Sequence, residues 1–231
     1  MIALILIFSV SLLTACQTGQ EERETPTPTG IQNTDSVDES ETPIPTDNQN
    51  TASGNAYEKG SLTETDFASK YLDLRFTLPD GLVMATEEDM QEMMGLGAEI
   101  MDLDSDLVEY AQLTTVYEMM ASSVDGSTNV LVFSEKLSMR NLTVEQYCTA
   151  LKSQLQGVSS MEYEIDDEII SVEIAGYSYE QVTASTHAYG MDMVQKYLVR
   201  KLDDRMVGFI ITNSSDTEDT LNTLMAGFSK Y

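Results

Sequence analysis

The residues of this chain that can hold a metal are few. His187-x-x-x-Met191-x-Met193 places two thioethers near the one histidine of the sequence, and Met191 and Met193 fall on one side of a strand. Soft sulfur ligands suit Cu(I). Met90-x-x-Met93-Met94 supplies more sulfur, and the chain holds 14 methionines. Methionines on helix and strand faces also fill core gaps, so packing competes for the same residues. Asp102, Asp104, Asp106 and Glu109 have the spacing of the first half of a calcium loop. Such a loop needs Gly at its sixth position and a bidentate Glu at its twelfth, where this chain has Leu107 and Leu113. A solvated helix end accounts better for those acids. No Gly-x-Ser-x-Gly occurs and His187 has no second histidine to work with, so no catalytic residue is assigned and no enzyme is expected. Tyr163, Tyr177, Tyr179, Tyr189 and Tyr197 are concentrated in the C-terminal part. Of these, Tyr177, Tyr179, Tyr189 and Tyr197 are the candidates for a binding surface, since a tyrosine combines area with a hydrogen bond. They are equally ordinary strand residues.

What positions the chain as a whole is Leu13-Thr14-Ala15-Cys16. Ile2 to Leu13 is nearly all apolar, too short to span a membrane and of the length of a signal-peptide core. Small residues lead to Cys16 and polar chain follows. The stretch resembles the bacterial lipoprotein signal, in which the cysteine is lipidated and becomes the new N-terminus. No Lys or Arg precedes the apolar run, a departure that points to a start codon upstream. Two acyl chains, at about 0.8 kcal/mol per buried methylene, hold a protein stably where one does so marginally. The expectation is residence on the outer face of a cell membrane, as in a Gram-positive bacterium, with Cys16 as the lipidated residue.

The formal net charge of -27 leaves no basic patch for phosphate, so nucleic acid is excluded as a partner. Lipidation consumes one of the two cysteines, so Cys148 has no intramolecular disulfide partner. It shares a helical face with Val144, Tyr147, Leu151 and Leu155 and reads as a core residue. Residues 17–60 contain four of the five prolines and one aromatic, Tyr57. Such composition cannot bury enough apolar surface to offset ordering. The expected organisation is a signal peptide over 1–15, lipidated Cys16 with a disordered linker to 60, and one domain over 61–231. As a coil the linker reaches roughly 35–40 Å.

Within the domain, Tyr71–Leu78 alternates as a half-buried strand and Pro79-Asp80-Gly81 ends it. Thr86 with Asp89 caps a helix carrying Met90, Met93, Met94 and Met101 near one face, and a second helical stretch covers Leu107–Leu113. Thr115–Val124 and Asn129–Leu137 predict a hairpin turned at Asp125-Gly126. Thr143 with Gln146 opens a helix to about Gln156. Ile169–Thr212 predicts three or four strands punctuated by Gly176, Gly190 and Asp203-Asp204. Ser215 with Glu218 opens a last helix with Leu221, Leu224, Met225 and Phe228 on its apolar stripe. Successive hairpins give an antiparallel sheet that three amphipathic helices cover, an α+β fold.

Tyr71-Leu72-Asp73-Leu74-Arg75-Phe76-Thr77-Leu78-Pro79-Asp80-Gly81 followed by a capped helix resembles the opening of the PsbP-like domain, an α/β/α sandwich. Lys201–Phe228 is similar to that family's last hairpin and helix. Leu82 stands where the family usually has Trp. The resemblance implies a fold and no functional residue, and fold is not function. The function expected is a membrane-anchored extracytoplasmic lipoprotein, a non-catalytic binding or accessory module whose partner is a membrane or surface protein. No cofactor is expected. The alternative is an extracytoplasmic protein that binds a small ligand or a metal, copper or calcium.

Overall fold

The computed structural model describes residues 56–100, 105–158, 161–188, 191–214 and 218–231. The expected signal peptide and Cys16 lie outside these residues, as does the linker up to residue 55. Tyr57 and Gly60, ahead of residue 61, hydrogen-bond to Glu118 of the domain. Strands β1 (Ser61–Leu62) and β2 (Asp66–Ser69) lead by a turn to β3 (Leu74–Thr77). The strand expected from Tyr71 is therefore shorter. Residues 71–73 form the turn, with Asp73 at φ 52, a conformation that Asp tolerates better than most residues. Leu72 donates its N–H to Ser69 Oγ at 3.2 Å and still points inward, 3% exposed.

After β4 (Leu82–Met84) comes α1 (Glu87–Ile100), opened by the expected box. Thr86 N–H donates to the Asp89 carboxylate at 2.9 Å, and Asp89 N–H donates to Thr86 Oγ1 at 3.2 Å. Next are α2 (Ser105–Thr114), β5 (Thr115–Ser123) and β6 (Thr128–Lys136). The β5–β6 turn has Gly126 at φ 72. At that turn Asp125 accepts from the Ser123 hydroxyl and from the Ser127 N–H and hydroxyl, which lower its carboxyl to about 2. Helix α3 (Val144–Gln156) has both halves of the Thr143–Gln146 capping box.

Then follow β7 (Glu164–Ile165), β8 (Ile170–Ile174), β9 (Tyr177–Ala188), β10 (Met191–Leu202) and β11 (Arg205–Ser214). The chain ends in α4 (Glu218–Ala226) and β12 (Phe228–Ser229). Ser215, the expected cap, lies outside the described residues. The apolar stripe expected on the last helix is partly corrected. Leu221 and Leu224 are buried on α4, but Phe228 has left the helix and pairs with Phe76 of β3. Gly227 marks the break: a Cβ there would stand 2.6 Å from the Thr77 carbonyl oxygen.

All strand pairings are antiparallel. The small sheet runs β1-β2-β3-β12, and the large one β4-β5-β6-β11-β10-β9-β7 with β8 also on β9. The α+β class with an antiparallel sheet is as expected; the second sheet is an addition to it. The large sheet is the middle layer, and strand alternation sends side chains to both sides. In β6, Leu131 and Phe133 join Met90, Met93, Tyr147, Cys148 and Leu151 beneath α1 and α3. Val130 and Val132 join Phe67, Leu74, Phe76, Leu221 and Leu224 against the small sheet and α4. Cys148 is fully buried, and burial pushes its thiol up to about 11.

The centre of the sheet is tightest at Gly208, where an added Cβ would lie 1.9 Å from the Leu198 carbonyl oxygen. Since that atom is backbone, a methyl group has to force β10 and β11 apart. Gly208→Ala is expected to lower stability by about 1–3 kcal/mol, read as a lower urea midpoint at unchanged slope.

Candidate functional site

A cavity of about 420 Å³ opens between α1, the end of α2 and the start of β5. Met90 and Met94 line it from α1, and Thr115, Val116 and Tyr117 from β5. The spacing of Met90 and Met94, one helical turn apart, puts both on the face that α1 turns to the sheet. Lys59, Glu87, Gln91 and Gln112 supply polar groups to the lining. Lys59 Nζ donates to Glu87 Oε1 at 2.9 Å. Both side chains are substantially exposed, so this ion pair orders the mouth more than it stabilises the fold. An apolar floor with a few polar groups is the usual make-up of a small-molecule site.

Lys59 belongs to a strap, residues 57–60, that crosses the edge of β5. Tyr57 donates its hydroxyl to Glu118 Oε1 at 2.9 Å, and Gly60 donates its N–H to Glu118 Oε2, also at 2.9 Å. The Arg205 guanidinium lies 3.8 Å from the centre of the Tyr57 ring, and Tyr71 meets that ring edge-on. Arg205 is itself held by donation to the Thr114 and Ser134 carbonyls at 3.3 and 3.2 Å. Glu118 is completely shielded from solvent. Desolvation raises its carboxyl above the ordinary value, and the Gly60 N–H and Tyr57 hydroxyl offset this only in part, with Lys59 and Arg205 contributing less. It stands at the bulge where β5 slips against β6 between Tyr117 and Met119. A second shielded acid, Glu135, faces α3 and accepts from the Tyr147 hydroxyl at 2.7 Å. Its register partner in β5 is Thr115, on the cavity wall.

The residues singled out in the sequence fall elsewhere. His187 is exposed and its Nδ1 lies 2.7 Å from Asp192 Oδ1, directly across the hairpin. Met193 is buried and pairs with Thr186, so its side chain and the His187 ring take opposite faces of the sheet. Met191 pairs with Ala188 next to the turn. The structure thus does not bring the imidazole and the Met193 thioether together. Among the described residues there is no group of three or more His, Cys, Asp or Glu side chains placed to hold a metal. Asp106 and Glu109 are exposed on α2, while Asp102 and Asp104 lie outside the described residues.

The four tyrosines of the expected surface are also separated. Tyr197 faces α3, 2% exposed, and donates to Gln195 Oε1 at 2.9 Å. Tyr179 is buried against the small sheet. Tyr177 donates to Asp73 in a short hydrogen bond. Arg200 stacks on Tyr177 and Tyr179 at 4.4 and 5.5 Å and donates to the Leu72 carbonyl at 2.8 Å. Tyr189 lies outside the described residues. Tyr177 and Tyr179 therefore fasten the two sheets together. The sequence reading missed Glu118, Glu135 and Arg205, although a charge inside an otherwise apolar strand was visible for both acids.

No family model matches the chain, and no curated protein matches it. Among solved structures the chain is similar to the cyanobacterial PsbP, CyanoP, of Synechocystis sp. PCC 6803. The TM-score is 0.42 at 10% identity, covering 77% of this chain and 98% of that one. It is also similar to LpqN of Mycobacterium tuberculosis, described as involved in cell envelope biogenesis. There the TM-score is 0.41 at 11% identity, covering 68% of this chain and 82% of that one. Both are loose likenesses of chain path, and neither carries an activity, a partner or a site to this protein.

The raised carboxyl of Glu118 has a consequence for stability. The folded state holds this proton more tightly than the unfolded chain does. The resulting stabilisation is present below the ordinary carboxylate value, 4.5, and is lost as pH rises through the raised folded value. Glu118→Gln keeps an acceptor for the strap and cannot ionise. Between about pH 4 and 7 its unfolding free energy is expected to fall less steeply than that of the unsubstituted protein, as urea titrations at each pH will show.

Proposed function

We propose that the chain is an extracytoplasmic binding module, held to the outer face of a membrane by acyl chains on Cys16. It is non-catalytic and acts as an accessory to a membrane or surface protein. The observation that carries the binding role is the cavity beside α1, with Met90, Met94 and Tyr117 in its lining and Lys59 and Glu87 paired across part of it. The sequence supports the membrane role: a short apolar run, Leu13-Thr14-Ala15-Cys16, then a long polar stretch rich in proline. A tether of that kind raises the effective concentration of the module near its partner without new contacts. The strap connects the two parts, because it contributes Lys59 to the lining of the cavity just before the chain enters β1.

No helix among the described residues is long and apolar enough to cross a membrane. Attachment in this reading rests on Cys16 alone, whose lipidation mass spectrometry of the native N-terminal peptide would detect directly.

Crosslinking of the lipidated full chain on intact cells, followed by mass spectrometry, tests the reading. A version lacking residues 1–16 is the control, and Met94→Trp is the probe of the cavity. One dominant membrane-protein partner is expected with the full chain and not with the control. Met94→Trp, shown to be folded by circular dichroism, is expected to lower its capture by about tenfold, the equivalent of about 1.4 kcal/mol. Absence of a reproducible partner would sink the accessory role. Full capture by Met94→Trp would remove the cavity from it.

A further inference from the structure

The large sheet ends unevenly beside the α1 cavity. β4 is three residues long and pairs only with Ala121, Ser122 and Ser123 of β5. One more bond, from the Ala85 N–H to the Met120 carbonyl at 2.9 Å, continues that ladder before the chain turns into α1. β5 itself begins at Thr115. Among the described residues, its first part therefore has β6 on one side and no strand on the other.

The backbone directions follow from hydrogen bonds at the two ends of β6. The Ser127 carbonyl accepts from the Ser214 N–H at 3.2 Å, and the Leu137 N–H donates to the Asp204 carbonyl at 2.9 Å. Odd-numbered residues of β6 thus turn their N–H and C=O groups toward β11, and Phe133 is one of them. Tyr117, its register partner in β5, must then turn its own backbone groups away from β6, toward the open side. Among the described residues nothing meets them there. The strap's two hydrogen bonds to β5 both end on the Glu118 side chain. Open strand edges recruit other strands, and proteins normally cover them. This one instead faces the cavity, which residues 115–117 line together with Met90 and Met94. Leu113, two residues before β5, is 76% exposed.

We propose that the partner docks on this edge by adding a short extended segment of its own chain as a further strand beside Tyr117. Resting on the accessory role above, this names the part of the partner that binds. Backbone hydrogen bonds hold such a segment, and one apolar side chain enters the pocket lined by Met90, Met94 and Val116. Residues 115–117 offer roughly 10 Å of edge, the length of three extended residues. The segment is neutral or basic: Lys59 and Glu87 already pair with each other, and a net charge of -27 repels acidic chain. The same charge opposes self-pairing with a second copy.

The test uses the full chain carrying ¹⁵N-tyrosine, in which the Tyr117 amide signal is the one lost in Tyr117→Phe. The probes are acetyl-Lys-Thr-Leu-Thr-Lys-amide and the same peptide with Phe for Leu. Each is also made N-methylated at its central residue and the following Thr, which removes a ladder donor whichever way the segment faces. With a plain peptide a saturable downfield shift of the Tyr117 amide is expected, with about tenfold slower hydrogen exchange at saturation. N-methylation, and separately Met94→Trp, are each expected to weaken binding about tenfold. Equal binding of plain and N-methylated peptides, or no saturable shift with either plain peptide, would overturn the proposal. So would a Tyr117 amide whose protection in the free protein rises with protein concentration, which assigns the edge to a second copy. Failure here leaves a crosslinked partner of the accessory role standing, and loss of that partner leaves the peptide shift standing.

Discussion

A sheet that is covered on both faces has nowhere to leave a polar side chain in water. That constraint shapes the whole molecule, because the large sheet lies between α1 and α3 on one side and the small sheet with α4 on the other. Each polar residue buried on its strands must find a partner inside the protein or lower the stability of the fold. Most do. Glu118 is answered by the strap, Glu135 by Tyr147, Gln195 by two tyrosines and Arg205 by main-chain carbonyls. The positions of these partners fix where the strap, α3 and the segment after it must lie. Polar demand, as much as apolar burial, sets the relative placement of the layers.

The small sheet shows the same rule from outside. Its strands are two to four residues long, too short to be stable alone. Phe67, Leu74, Phe76 and Phe228 bury it against the large sheet, and Arg200 bridges the two by stacking on Tyr177 and Tyr179 while donating to Leu72. Tyr177 and Tyr179, which the sequence suggests for recognition, here hold the two sheets together. Among the described residues, internal partners fall short at the side chains of Thr128, Asn129 and Thr186 and at Asn213 Oδ1.

The large elements were legible in the sequence because each carries a local signal. The boxes at Thr86–Asp89 and Thr143–Gln146 and the hairpins at Asp125-Gly126 and Asp203-Asp204 are set by neighbours a few residues apart. Of the small sheet only β3 was legible. β1 and β12 have two residues each, below the length at which alternation means anything, and Phe228 continues the spacing of a helix that Gly227 has already ended. The site was barely legible. Met90 and Met94 were visible as a helical face, but the cavity also needs Lys59 from a stretch whose composition reads as linker. Glu118 and Arg205 meet through Tyr57, over sequence distances that periodicity does not register.

The strap gives the domain a definite point at which force enters it. Tension on the chain ahead of Tyr57 meets the Tyr57 and Gly60 bonds to Glu118 and the Arg205 stack before it meets any strand of the small sheet. Those contacts hold the edge of the middle layer. A pull that would unzip β1 and β2 residue by residue is instead spread across β5 and, through Arg205, across β6 and β11. While the buckle at Glu118 holds, β1 and β2 are shielded from a pull on the chain ahead of Tyr57.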